Sequence, residues 1–178
     1  MNDAGASMRS GAAGASAVQE IDAYLETERG RLFELVADLV AVDSQIPPHS
    51  DERAVAELLR ERMAALGLGR GEVVAADPHR PNVVARIPGE GAGRTLMLNG
   101  HLDTKPVGAA RDEWLSDPLT PEVRDGRLYG LGAADMKAAV AAMVLAAAAL
   151  RATAALAGEL VLAFVADEEA GATHGAKF

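Results

Sequence analysis

Three short runs in this chain hold the residue types that do chemistry: His101-Leu-Asp103, Asp135 at the end of Gly130-Leu-Gly-Ala-Ala-Asp135, and Asp167-Glu168-Glu169. Together they offer one imidazole and five carboxylates. Carboxylates gathered that closely cannot all stay ionised unaided, because like charges raise one another's pKa. Divalent cations remove the conflict by stabilising the ionised forms. The chain has no cysteine, so disulfides and thiolate zinc sites are excluded and any metal must rest on His, Asp and Glu. Imidazole with carboxylate suits zinc, cobalt or manganese. His101 and Asp103 lie two apart in an extended segment and share a side, so Asp103 can accept from the second ring N–H of a metal-bound His101. Glu168 and Glu169 cannot share a face in a regular strand. In the turn after one, either can bind metal while the other serves as a general base.

Each run alone also has an ordinary reading. Asn99-Gly100 can make His101 one arm of a hairpin, Asp135 can cap a helix, and Asp-Glu-Glu can be solvated charge at a helix start. Gly130-x-Gly132-x-x-Asp135 before a helix also imitates a dinucleotide-binding fingerprint. Against that, the charge of Asp135 would repel a pyrophosphate. The decision rests on whether the surrounding elements bring the three runs together.

Those elements read as α/β. Leu32, Leu35, Val36 and Leu39 fall on one helical face, with Gly30 breaking off an earlier turn that carries Ile21 and Leu25. Pro47-Pro48 opens a loop. A second helix carries Val55, Leu58, Leu59 and Met63, with Ser50 as its expected N-cap and Gly67 as its stop. Val73–Ala76, Asn82–Ile87 and Thr95–Leu98 read as short strands, and Asp125-Gly126 as a tight hairpin turn. A helix from about Met136 to Leu156 leads to Leu160–Ala166, seven apolar residues that suit a strand buried on both faces. Strand, crossover helix and strand predict a mixed, largely parallel sheet flanked by helices. In such sheets ligands bind beyond the carboxyl ends of the strands, where the His101 and Asp167 runs both emerge.

Composition narrows the class. With 17 basic and 26 acidic residues the net charge is −9, which argues against nucleic acid and for small substrates or cations. Residues 1–17, rich in Gly, Ala and Ser, are expected to be a disordered leader without the apolar core of a signal peptide. Residues 18–178 form the folded part. The apolar run Ala138–Leu150 is short of the ~20 residues that a membrane span needs. A cytoplasmic protein without membrane contact is the expectation.

Four runs, Arg80-Pro-Asn-Val-Val-Ala-Arg86, Leu98-Asn-Gly-His-Leu-Asp-Thr104, Gly126–Lys137 and Asp167–Ala176, resemble in order and spacing the co-catalytic zinc metallopeptidases. These include aminoacylases, acetylornithine deacetylase, succinyl-diaminopimelate desuccinylase and glutamate carboxypeptidases. The resemblance implies a partial zinc-peptidase-like catalytic domain that uses two divalent metal ions, Zn with Co or Mn possible. It implies that His101 binds one metal and Asp103 orients it, that Asp135 bridges the pair, that Glu169 binds the second, and that Glu168 is the general base. It further implies hydrolysis of a small N-acyl amino acid or peptide substrate, a cis peptide at Asp135-Met136, and a homodimer where the family's dimerisation domain is present. Leu131 and Ala138 depart from an arginine and a glycine common in the family. Family chains continue well past the Glu-Glu motif and supply further ligands there. The expectation is therefore an N-terminal fragment with two protein ligands per metal, inactive or nearly so alone. The alternative is a non-catalytic fragment that pairs with a separate C-terminal chain.

Overall fold

The computed structural model describes residues 4–153 and 156–178, with side chains from residue 15 onward. Helix α1 (Ala4–Thr27) begins inside the stretch read as a leader, where alanine, the best helix former, is abundant. It is followed directly by α2 (Arg29–Ala41). The break falls at Glu28, and Gly30, expected to make it, lies within α2. α2 buries Leu35, Val36, Leu39 and Val40, the face its spacing predicts.

Pro47-Pro48 is a cis peptide in the loop to α3 (Arg53–Ala65), which buries Val55, Ala56, Leu59 and Met63. Ser50 does not cap α3. Its Oγ donates to the Asp43 carbonyl, and the Asp51 carboxylate accepts the Arg53 N–H at 3.0 Å instead. A carboxylate there also suits the positive end of the helix dipole.

The main sheet has the order β1 (Glu72–Val74), β2 (Asn82–Ile87), β6 (Leu160–Val165), β3 (Leu96–His101). It is mixed, but its largely parallel character is confined to the β3–β6 pair, since β2 runs antiparallel to both β1 and β6. β3 extends past the expected Leu98 to His101, because Asn99 and Gly100 pair in register with Ala163 and Phe164 and make no turn. β4 (Glu122–Arg124) and β5 (Arg127–Tyr129) form a separate hairpin. Asp125 (φ 51°) and Gly126 (φ 73°) both take positive φ there, the tight turn their dipeptide predicts.

The core lies between one sheet face and the helices. Val83, Ala85 and Ile87 of β2 stand opposite Phe164, Leu162 and Leu160 of β6, and all six join one cluster with α2, α3 and α4 (Ala138–Thr153). Fully burying a side chain such as Leu39, Leu59 or Phe164 stabilises by ~1.5–3 kcal/mol. Residues 133–153 meet the length and composition of a membrane span, more than the sequence reading allowed. In the fold this helix lies at the centre of the core, with Val140, Ala141, Val144 and Ala147 buried along one face.

Candidate metal centre

Parallel pairing of β3 with β6 places His101 opposite Val165, so both strands end at the same edge. The chain after β3 stays beside β6, since the Leu102 N–H donates to the Val165 carbonyl at 2.8 Å. His101-Leu-Asp103 and Asp167-Glu168-Glu169 therefore leave the sheet side by side.

The third run arrives by a different route. Gly132, at φ 74°, turns the chain where a Cβ would lie 2.4 Å from the Thr104 methyl, so only glycine fits. A tight irregular turn, Ala133–Lys137, follows, and its Asp135-Met136 bond is cis, as the resemblance implies. The Asp135 carboxylate faces His101. The strand before this turn, β5, pairs with β4 in the separate hairpin. The parallel strand that a dinucleotide fingerprint requires is not there, which disposes of that reading.

His101 is 5 % exposed. Its Nδ1 lies 2.9 Å from the main-chain carbonyl of Asp103 and 3.6 Å from that residue's carboxylate. The carbonyl, not the expected carboxylate, thus holds the ring. A carbonyl only accepts, so Nδ1 carries a hydrogen, and Nε2 is the ring atom that can serve as a ligand to a cation. Nε2 sits 3.0 Å from Asp135 Oδ1. A hydrogen on Nε2 satisfies this contact, and a cation beside both atoms would take that hydrogen's place. Glu169 completes the group: donor atoms of His101, Asp135 and Glu169 lie within 4.8 Å of one another. This donor set, imidazole with two carboxylates, fits a zinc-like divalent ion.

The Asp103 side chain, fully buried, has a different task. Its two oxygens accept the backbone N–H groups of Glu168 at 3.1 Å and Glu169 at 2.9 Å. It thereby fixes the acid turn over the histidine. Glu168 stands slightly back, with Oε2 3.9 Å from His101 Nε2 and its side chain 55 % exposed. Glu169 is largely covered, and its carboxylate already pairs with Lys105 Nζ at 3.1 Å. Two other histidines take no side-chain part in the group: His79 is exposed beside Asp51, and His174 meets the acid turn through its backbone N–H, which donates to Asp167 Oδ2 at 3.1 Å.

Sequence reasoning missed one group outright. Lys137, which the sequence gives only as the end of the Gly126–Lys137 run, is fully buried and donates from Nζ to the Leu39 and Val42 carbonyls at 2.8 and 2.9 Å. It ties the Asp135 turn to the open carbonyls at the end of α2. Burial lowers its ammonium to about 8, with Asp43 opposing that shift. Because the folded value lies below the unfolded one, the unfolded chain binds more protons between the two, and stability should rise from about pH 8 to 10.5. Lys137→Ala should cost ~3 kcal/mol at pH 7 through a cavity and two unmet carbonyls, and should remove that alkaline rise. Urea unfolding at stepped pH measures both effects.

An apolar cavity of about 480 Å³ lies between α2 residues Leu32, Phe33 and Val36 and the β4–β5 hairpin, with Trp114 in its wall. None of the acid cluster lines it. The chemistry is at the sheet edge.

Comparison with known proteins agrees with the geometry. Residues 97–178 match Peptidase family M20/M25/M40. Over 118 residues the chain is 43 % identical to a succinyl-diaminopimelate desuccinylase of Leptothrix cholodnii, covering 63 % of this chain and 29 % of that one. Over 142 residues it is 39 % identical to the same enzyme of Cereibacter sphaeroides, covering 79 % and 36 %. In fold it is similar to the di-peptidase Dug1p of Saccharomyces cerevisiae, with a TM-score of 0.66 at 21 % identity, covering 89 % and 35 %. The chain spans about a third of the length of these relatives. With its motifs in order and its acid cluster at the ends of paired strands, the chain is similar over residues 97–178 to Peptidase family M20/M25/M40.

Proposed function

We propose that this chain carries the metal-binding part of a hydrolase that cleaves the amide bond of a small N-acyl amino acid or peptide. The observation that carries this reading is the convergence of His101, Asp135 and Glu169 within 4.8 Å at the carboxyl ends of β3 and β6. Metal ions at this place, two by family resemblance and zinc by preference, would polarise the scissile carbonyl and favour deprotonation of a water.

The chain's own residues supply position and proton transfer. The Asp103 carbonyl holds the His101 ring in the tautomer that leaves Nε2 as a ligand. Asp135 meets His101 through Oδ1 and its side chain is 76 % exposed, which suits a carboxylate that would bridge two ions. Glu169 closes the group from the turn that follows β6. Glu168, beside the cluster, is placed to accept the proton of an attacking water and return it to the leaving amine. The turn that holds Glu168 is anchored through its backbone, so the carboxylate can swing between the two tasks.

Three donors with two metals to hold leave each ion few protein ligands, against three or four in typical sites. We therefore expect the 178-residue chain alone to show little or no turnover. A chimera tests the reading. In it, residues 32–178 replace the matching third of a desuccinylase relative, and hydrolysis of N-succinyl and N-acetyl amino acids is followed with Zn²⁺ or Co²⁺. Turnover abolished by chelator is the expected result. A folded, metal-loaded chimera without activity on any such substrate would refute the proposal.

A second reading has one observation in its favour. β3 is an edge strand, with Leu96 and Met97 each 58 % exposed, as a chain that completes its sheet with a separately supplied partner would present. Activity restored by adding the remaining two thirds of a relative in trans would support it. Absence of any complex would dispose of it.

A further inference from the structure

The run Arg80-Pro-Asn82 belongs to the resemblance yet has no part in the chemistry above. It precedes β2, which runs antiparallel to β6, so the start of β2 lies beside the end of β6. That places Arg80 against the acid turn although 87 residues separate it from Asp167 in the sequence. Its side chain is 8 % exposed. Nε and Nη2 donate to the two Glu52 oxygens at 2.6 and 2.5 Å, and Nη2 also lies 3.1 Å from Asp167 Oδ1. Glu52, itself fully buried, accepts the Asp167 N–H at 3.2 Å.

Asp167 sits at φ 65°, the left-handed region, which is uncommon outside glycine although aspartate enters it more readily than most residues. The reversal at this residue sends the next two N–H groups, of Glu168 and Glu169, onto the Asp103 carboxylate. Asn82 finishes the frame by accepting the Ala166 N–H at 3.0 Å. Without Arg80, three buried carboxylates, Glu52, Asp103 and Asp167, would face one another with no cation among them, and the turn would relax to separate them.

We propose that Arg80 is a positioning residue, which with Glu52 clamps Asp167 in its left-handed turn and so holds Glu168 and Glu169 over His101. The proposal rests on the metal-centre reading only for its consequence; the clamp itself is a property of the metal-free chain. Arginine is required rather than any cation, because its planar fork grips both Glu52 oxygens while still reaching Asp167, and an ammonium has no such geometry.

The test uses Arg80→Lys in the full 178-residue chain, with folding checked by circular dichroism. Amide hydrogen exchange in the absence of metal is the first readout. The Glu168 and Glu169 N–H groups should exchange faster by about tenfold or more, while Leu162 and Phe164 in β6 keep their protection. Cobalt titration is the second, with affinity expected to fall ~10–100-fold, the usual cost of losing an outer partner of a metal site. Unchanged exchange at Glu168 and Glu169 overturns the proposal. So does an equal loss across the whole sheet, which would mark Arg80 as a general structural residue. Should Arg80→Lys not fold, Glu52→Gln is judged by the same exchange pattern, and failure of both to fold also overturns it. A parent chain that binds no cobalt would sink the metal-centre reading, while the exchange result still decides the clamp.

Discussion

Asp135→Ala is expected to weaken binding of Zn²⁺ or Co²⁺ by at least ~100-fold while leaving the fold intact. The size follows from its place: mutations of outer partners alone typically cost 10–100-fold, and Asp135 faces His101 Nε2 directly at 3.0 Å. The intact fold follows from its exposure, since 76 % of the side chain is open and its one close side-chain contact is with His101 at the sheet edge. The removal of one carboxylate from a crowded acidic edge also relieves repulsion, so metal-free stability should be unchanged or slightly higher. Calorimetric titration paired with thermal unfolding in chelator separates the two effects. A variant that binds metal as well as the parent would show that Asp135 is not a ligand.

Glu168→Gln in the desuccinylase chimera should lower kcat ~10²–10⁴-fold with little change in metal content. Glutamine keeps the size and the backbone N–H that anchors the turn to Asp103 at 3.1 Å, but it cannot take up a proton. Glu168 lies outside the three-residue cluster, so the ions should remain. Glu169→Gln is the informative contrast: it should reduce metal content first and activity as a consequence. If the two variants behaved alike, the division of labour between these neighbours would be wrong.

Much of this was legible in the sequence because local pattern and fold agreed. The apolar run Leu160–Ala166 announced a buried strand, Asp125-Gly126 a hairpin, and the spacing in α2 its buried face. Those strands then brought the His101 and Glu169 runs to one edge without further assumption. What stayed hidden depends on long-range pairing. No period reveals that Lys137 turns inward to the end of α2, or that Glu52 and Arg80 meet behind Asp167, since these contacts join residues 28 to 115 apart. The sheet is mixed as expected but less parallel, since β2 runs antiparallel to β6 and strand sense is set by the connections, not by strand composition. The Arg53 N–H at the start of α3 goes to Asp51, while the Ser50 hydroxyl is turned to the Asp43 carbonyl. His101 shows the finest such limit. Spacing put Asp103 beside it, but only coordinates distinguish the carbonyl that holds the ring from the carboxylate that holds the acid turn.

The most direct test of the central claim is anomalous diffraction at the zinc edge from crystals of this chain grown or soaked with Zn²⁺. The account predicts a peak at bonding distance, ~2.0–2.2 Å, from His101 Nε2 and from carboxylate oxygens of Asp135 and Glu169, with Lys105 displaced from Glu169. A well-ordered edge of the sheet with no peak there, or zinc held only by other residues, would contradict it.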